Sequence, residues 1–305
     1  YRRLSEYDSQ TKNLKLSISY YRRALEIEEI DPYDAASTYI NIGIAYRVLA
    51  NYENGELNVA KAKEAIINAI NLRGIEKYPY ECATAFFEMG LVLILEYKLT
   101  KVTEKLISGI SYLSEASEVF YSYLGKNDIE IVFSPVEDYT FTKFLIGKAY
   151  LMLSEIKDTE ENLTHSKEAF SQVLERLPRD RHAEGYGDVL FEMGNALFDL
   201  YKANGETSNL LKAIDHYKES ASIYTVEKYP YHYASIIDEM GKAYLNLAKK
   251  SHVEDHIKKS LSLFDESYTI LLKLDEPVKE EVLKNYSEAM AFYNHNFYGG
   301  GIMYV

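Results

Sequence analysis

Glu76-Lys77-Tyr78-Pro79-Tyr80 leads into Glu88-Met89-Gly90, and the same words return as Glu227-Lys228-Tyr229-Pro230-Tyr231 and Glu239-Met240-Gly241-Lys242-Ala243-Tyr244. In both copies the proline stands 11 residues before the glycine. Related words occur at Asn41-Ile42-Gly43-Ile44-Ala45-Tyr46, Ile146-Gly147-Lys148-Ala149-Tyr150 and Glu192-Met193-Gly194. Gly43 and Gly90 are 47 apart, Gly90 and Gly147 are 57 apart, and Gly147, Gly194 and Gly241 follow at 47. Pro32 keeps the 11-residue offset, Pro135 stands 12 before its glycine, and Pro277 stands 11 before Glu288, where a sixth glycine would fall. A fixed period of this size marks a repeat protein.

Each of these prolines is expected to open a helix, since proline is tolerated in a first turn and ends what precedes it. Asp31 and Ser134 stand where a capping side chain belongs. A mainly apolar run follows, as in Tyr33 to Leu49. Then come a polar break and a second amphipathic run, as in Leu210 to Tyr224. Each unit is thus two antiparallel helices. A glycine in a helix interior costs about 1 kcal/mol in propensity. Its return at Gly43, Gly90, Gly147, Gly194 and Gly241 implies repeat packing, with a second helix crossing closely there.

The pattern resembles the tetratricopeptide repeat. That family's first helix carries a large residue, then apolar-Gly-x-x-Tyr, matched by Tyr39, Ile42, Gly43 and Tyr46 and by Ile237, Met240, Gly241 and Tyr244. Its second helix carries small, aromatic and small residues at spacings of four and three. The matches, some of them loose, are Ala62, Ile66, Ala69; Gly109, Leu113, Ala116; Ser166, Phe170, Val173; Ala213, Tyr217, Ser220; and Ser260, Phe264, Ser267. The period departs from the common one of about 34, so the chain looks like a long-helix variant. The resemblance implies an all-α, right-handed α-solenoid of helix hairpins in one continuous domain. Its parts are a second-helix half-unit over 1–30, five hairpins at 31–77, 78–133, 134–177, 178–228 and 229–276, a first-helix half-unit over 277–297, and a glycine-rich apolar tail over 298–305.

The resemblance places the first helices on a binding face. The groove candidates it gives are Phe87, Leu91, Ile94 and Leu95; Phe141, Phe144, Leu151 and Met152; and Asp188, Phe191, Asn195, Phe198 and Asp199. Rotation of the longer helices would instead turn such residues into the core. The Lys/Asn clamp with which some members grip a C-terminal carboxylate is missing, because its positions hold Ile40, Phe87, Phe144, Phe191 and Asp238. Glu88, Glu192 and Glu239 recur in register, either as a carboxylate ladder or as partners of neighbouring cations.

The half-units at the ends read as caps or as complementary surfaces through which copies join head to tail. Tyr20, Tyr21, Met290, Phe292, Tyr293, Phe297, Ile302, Met303 and Tyr304 are the candidates for such self-assembly. The ten extra residues between Phe120 and Pro135 read as a covering loop or a linker.

Composition narrows the function class. The chain has 305 residues, a net charge of −13, 29 Tyr and no Trp. An acidic surface without a basic run disfavours nucleic acid, and no apolar stretch is long enough to span a bilayer. The single Cys82 allows no intrachain disulfide. Its seven histidines form no convincing metal pattern, and no phosphate loop or catalytic constellation is present. The expectation is a non-catalytic protein, without metal or cofactor, that binds another polypeptide as a scaffold; the alternative is a homo-polymer. Compartment stays open: cytoplasmic by default, extracellular if Tyr1 is a processed N-terminus.

Overall fold

The computed structural model describes residues 2–27, 29–74, 76–125 and 134–298. Among them twelve helices and no strand occur. The chain divides into two compact units, one ending at Ile156 and one beginning at Lys157.

Unit 1 holds α1 (Arg2–Leu25), α2 (Pro32–Leu49), α3 (Gly55–Arg73), α4 (Pro79–Thr100), α5 (Thr103–Ser122) and α6 (Pro135–Ser154). Each helix packs on the next, and α2 also touches α4. Unit 2 holds α7 (Thr159–Leu174), α8 (Ala183–Asn204), α9 (Thr207–Ile223), α10 (Pro230–Ser251), α11 (Glu254–Leu274) and α12 (Lys279–Phe297), again packed in chain order. The fold is all-α and built of consecutive hairpins, the arrangement of an α-solenoid.

Prolines 32, 79, 135 and 230 are the first residues of their helices. Ala183 takes that place in α8, 11 residues before Gly194. Asp31 caps α2, its Oδ1 accepting from the Tyr33 amide at 2.8 Å. Ser134, also expected to cap, makes no side-chain cap bond, and Pro277 lies two residues before α12 rather than opening it. The N-terminal half-unit is one helix, α1, which runs from Arg2 to Leu25.

Gly43, Gly90, Gly194 and Gly241 sit where two helices of a hairpin touch. A Cβ on Gly43 would lie 2.6 Å from Ile66, on Gly90 2.7 Å from Leu113, on Gly194 2.5 Å from Tyr217 and on Gly241 2.7 Å from Phe264. In each pair the large residue is 23 positions after the glycine. Seven residues before the glycine a second small residue, Ala36, Ala83, Gly187 or Ala234, extends the seam. Ser220 Oγ donates to Gly187 O at 2.8 Å and Ser267 Oγ to Ala234 O at 2.9 Å across it. Close approach therefore satisfies buried hydroxyls as well as packing.

Eleven residues after each ladder glycine the backbone turns left-handed: Asn54 (φ 46), Lys101 (φ 59), Asp158 (φ 46), Gly205 (φ 72) and His252 (φ 51). One of the five is a glycine, so the others hold a conformation that L-residues disfavour.

The ten extra residues fall between α5 and α6 without disturbing the first-helix register. Tyr33 Oη donates to Glu81 Oε1 at 3.2 Å, and Tyr80 Oη to Asp138 Oδ2 at 2.5 Å. Both link corresponding positions of successive first helices. Residues 126–133 of the extra stretch and the tail 299–305, with Ile302, Met303 and Tyr304, lie outside the described residues.

Candidate functional site

The first helices carry the groove candidates, which differ in how deeply they are buried. Ile94 and Phe198 stand four residues after their glycines, on the glycine's own face. Ile94 packs toward Gly109 of the second helix and toward Leu106, Ile110, Ala149 and Leu153. Phe198 is only 5% exposed. Met152 packs into the same cluster as Ile94. Phe198 is thus a core residue rather than a groove residue, while Ile94 and Met152 are half-buried.

Phe87, Leu91, Phe141 and Phe144 remain at the surface of unit 1. The Phe87 and Phe141 rings approach to 5.9 Å from α4 and α6, and Phe141 is 55% exposed. Lys148 Nζ lies 5.5 Å over the Phe144 ring. Aromatic rings on neighbouring helices make a patch suited to apolar or aromatic side chains.

The corresponding face of unit 2 has different chemistry. Phe191 of α8, Leu271 of α11 and Val282 of α12 form the apolar part of a cleft of about 160 Å³. Asp238, Glu239 and Lys242 of α10 and Glu281 of α12 form its polar part. Lys242 Nζ lies 3.0 Å from Asp238, 2.9 Å from Glu239 and 3.4 Å from Glu281. Asn285 of α12 donates to Asp238 at 3.3 Å. Burial raises the Asp238 and Glu239 carboxyls above the usual range, with Lys242 opposing that shift. Lys242 is held protonated by its carboxylate neighbours against burial.

The glutamates that recur in sequence each find a partner. Glu88 is buried and meets Arg47 Nε of α2 at 2.9 Å. Desolvation still lifts its carboxyl. Glu192 accepts from Asn195 at 3.3 Å and Glu239 meets Lys242. They are separate pairings rather than one carboxylate ladder. The repeat words do not single out Lys242 and Glu281; the spacing of Asp238 and Glu239 from Lys242 by four and three is the signal that could have found the lysine.

Of the self-assembly candidates, Tyr21 is half-buried and packs with Ile18 and Leu14 on the core shared with α2 and α3, while Tyr20 is exposed. Phe292, Tyr293 and Phe297 are half-buried in one aromatic group with Tyr298, and Tyr293 Oη reaches Glu254 of α11 at 3.2 Å. Met290 is half-buried. The buried residues of α12 are Val282 and Ala289. Ala289 fits the place of Ala243, two residues after the glycine, so Ser287 rather than Glu288 holds the glycine position. The face of α12 that corresponds to a hairpin seam is exposed and carries Glu280, Lys284, Ser287, Glu288 and Ala291.

Among the described residues no helix is long and apolar enough to cross a membrane. No family model and no curated relative matches the chain. Among solved structures it is similar to BtubC (BKLC) from P. vanneervenii, at 12% identity and a TM-score of 0.60, over 88% of this chain and 92% of that one. It also aligns with the TPR2AB domain of yeast Sti1 in complex with pHSP90, at 15% identity and a TM-score of 0.32, over 94% and 99%. The first similarity speaks to fold alone. With the hairpin geometry, it supports an all-α fold of consecutive helical hairpins.

Proposed function

We propose that the chain is a non-catalytic scaffold that holds polypeptide on the surface of its first helices. The observation that carries this reading is the aromatic patch of unit 1, where Phe87 and Phe141 meet across two helices and Phe141 keeps 55% of its surface exposed. A monomer that exposes such a patch does so at a risk of aggregation unless something binds it. Selection from a displayed random-sequence peptide library tests it. The intact chain should enrich apolar or aromatic peptides, and Leu91→Ser with Phe141→Ser should lose them while keeping its helical circular dichroism. Enrichment no greater than on a bare support would end the reading.

Self-assembly has weaker support. The seam face of α12 exposes Glu280 at the place where internal hairpins carry Ala36, Ala83, Gly187 or Ala234, and an exposed charge there is what a solvent-facing cap carries. Light scattering across a concentration series separates the two: a constant mass favours the scaffold and a mass rising without limit favours the polymer.

A further inference from the structure

The cleft of unit 2 carries more negative charge than its packing requires. Three carboxylates, Asp238, Glu239 and Glu281, surround the one ammonium of Lys242. Asp238 is 7% exposed, so its charge is poorly screened. The position three residues before the glycine is held by Ile40 in α2 and Phe87 in α4. Those hairpins close with apolar residues there, so the fold itself does not call for a buried carboxylate. The remaining walls are Phe191, Leu271, Val278 and Val282, apolar apart from Ser235 beside them. A long side chain with a methylene stem and a cationic head matches both halves of such a cleft, the stem along the Phe191 ring and the head among the carboxylates. Glu281, whose side chain is 61% exposed, stands where an entering cation meets it first.

We propose that this cleft is the subsite for a lysine or arginine side chain of the bound polypeptide. The inference rests on the scaffold reading above and specifies the chemistry of one position in its ligand. Charge complementarity singles out the occupant: an acidic or neutral side chain would add to, or leave unanswered, the excess of carboxylates.

The test uses the full chain immobilised against the displayed random-sequence library, followed by fluorescence anisotropy on the recovered peptides. Wild type should enrich peptides with a basic residue at one fixed position. Replacing that residue by norleucine should weaken binding about tenfold, and Glu281→Lys should cause a similar loss. Glu281→Lys alters an exposed side chain, so its thermal unfolding should match wild type; Asp238→Asn serves as a second variant with the same expected loss. Recovered peptides without a fixed basic residue, or affinities within about twofold for norleucine and both variants, would overturn the inference and leave the scaffold standing. No enrichment of any peptide would remove both.

Discussion

Gly194 of α8 lies against the ring of Tyr217 of α9, so close that a Cβ would stand 2.5 Å from Cε1. The ring is fully buried, and its hydroxyl donates to Asn195 Oδ1 at 2.9 Å. It has nowhere to retreat. Gly194→Ala should destabilise unit 2 by about 2 kcal/mol through overpacking. Gly185, in the same helix, has its nearest neighbour at 3.9 Å. Gly185→Ala should stabilise by up to about 1 kcal/mol through helix propensity. Denaturant unfolding of the two variants beside wild type checks the opposite signs.

The left-handed turns give a second pair of opposite outcomes. His252 holds φ 51 at the end of α10, and Gly205 holds φ 72 at the end of α8. His252→Gly should raise stability by about 1 kcal/mol, because the αL strain of an L-residue disappears. A methyl group added at Gly205 would meet nothing within 4 Å, so Gly205→Ala should cost about 1 kcal/mol from backbone conformation alone. Thermal midpoints moving in the same direction for both would refute the account.

Arg73 presents a buried cation at a site that other hairpins fill differently. It follows Ile66 by seven residues, as Phe120 follows Leu113, Tyr224 follows Tyr217 and Leu271 follows Phe264. Its guanidinium lies 4.7 Å over the Tyr33 ring and donates to Ser37 Oγ at 2.5 Å, while Nε is buried without a partner. In the corresponding place of unit 2, Tyr224 Oη donates to Asp188 Oδ1 at 2.6 Å. Ser37→Asp should supply the missing carboxylate and stabilise by about 1 kcal/mol at neutral pH. The guanidinium would hold the new carboxyl below its unfolded pKa, so the gain is present above that pKa and fades as pH falls through the folded one. Unfolding measured at neutral and acidic pH should show the gain only at the former.

Asp238 should show the reverse dependence. Desolvation raises its carboxyl despite Lys242 and Asn285, with Glu281 adding to the rise. A raised folded pKa means that this residue favours the fold most below its unfolded pKa and loses that contribution as pH rises through the folded value. Asp238→Asn should therefore stabilise at neutral pH by on the order of 1 kcal/mol, leaving Lys242 its contacts with Glu239 and Glu281, and the advantage should vanish in acid. An equal advantage at both pH values would exclude the titration as its cause.

What the sequence disclosed followed from steric necessity. A glycine inside a helix has to be explained by a neighbour, and Ile66, Leu113, Tyr217 and Phe264 are those neighbours. Gly187, seven before Gly194, belongs to the same seam but is hard to read there because its counterparts are Ala36, Ala83, Thr140 and Ala234. The groove was only half legible: Phe87 and Phe198 look alike as letters, but one stands three residues before its glycine and the other four after. In the structure Phe87 is half-buried and Phe198 is buried. The left-handed turns left no trace, because Asn54, Lys101, Asp158, Gly205 and His252 share no chemistry. Their conformation is imposed by the path between two helices that must meet at the seam. Arg73 was hidden for the reverse reason, since a basic residue near a helix end reads as solvated.

The offset of 23 residues between each glycine and its ring partner also bears on how the chain folds. The bonds that tie one first helix to the next also stay within neighbouring repeats: Tyr33 to Glu81 spans 48 residues and Tyr80 to Asp138 spans 58. Loops of that size close at small entropic cost, and low contact order means rapid folding. Each hairpin of a unit can form on the ribosome as soon as its second helix emerges, without waiting for the distant end of the chain, and a destabilised hairpin should unravel with its neighbours before the rest of the protein does.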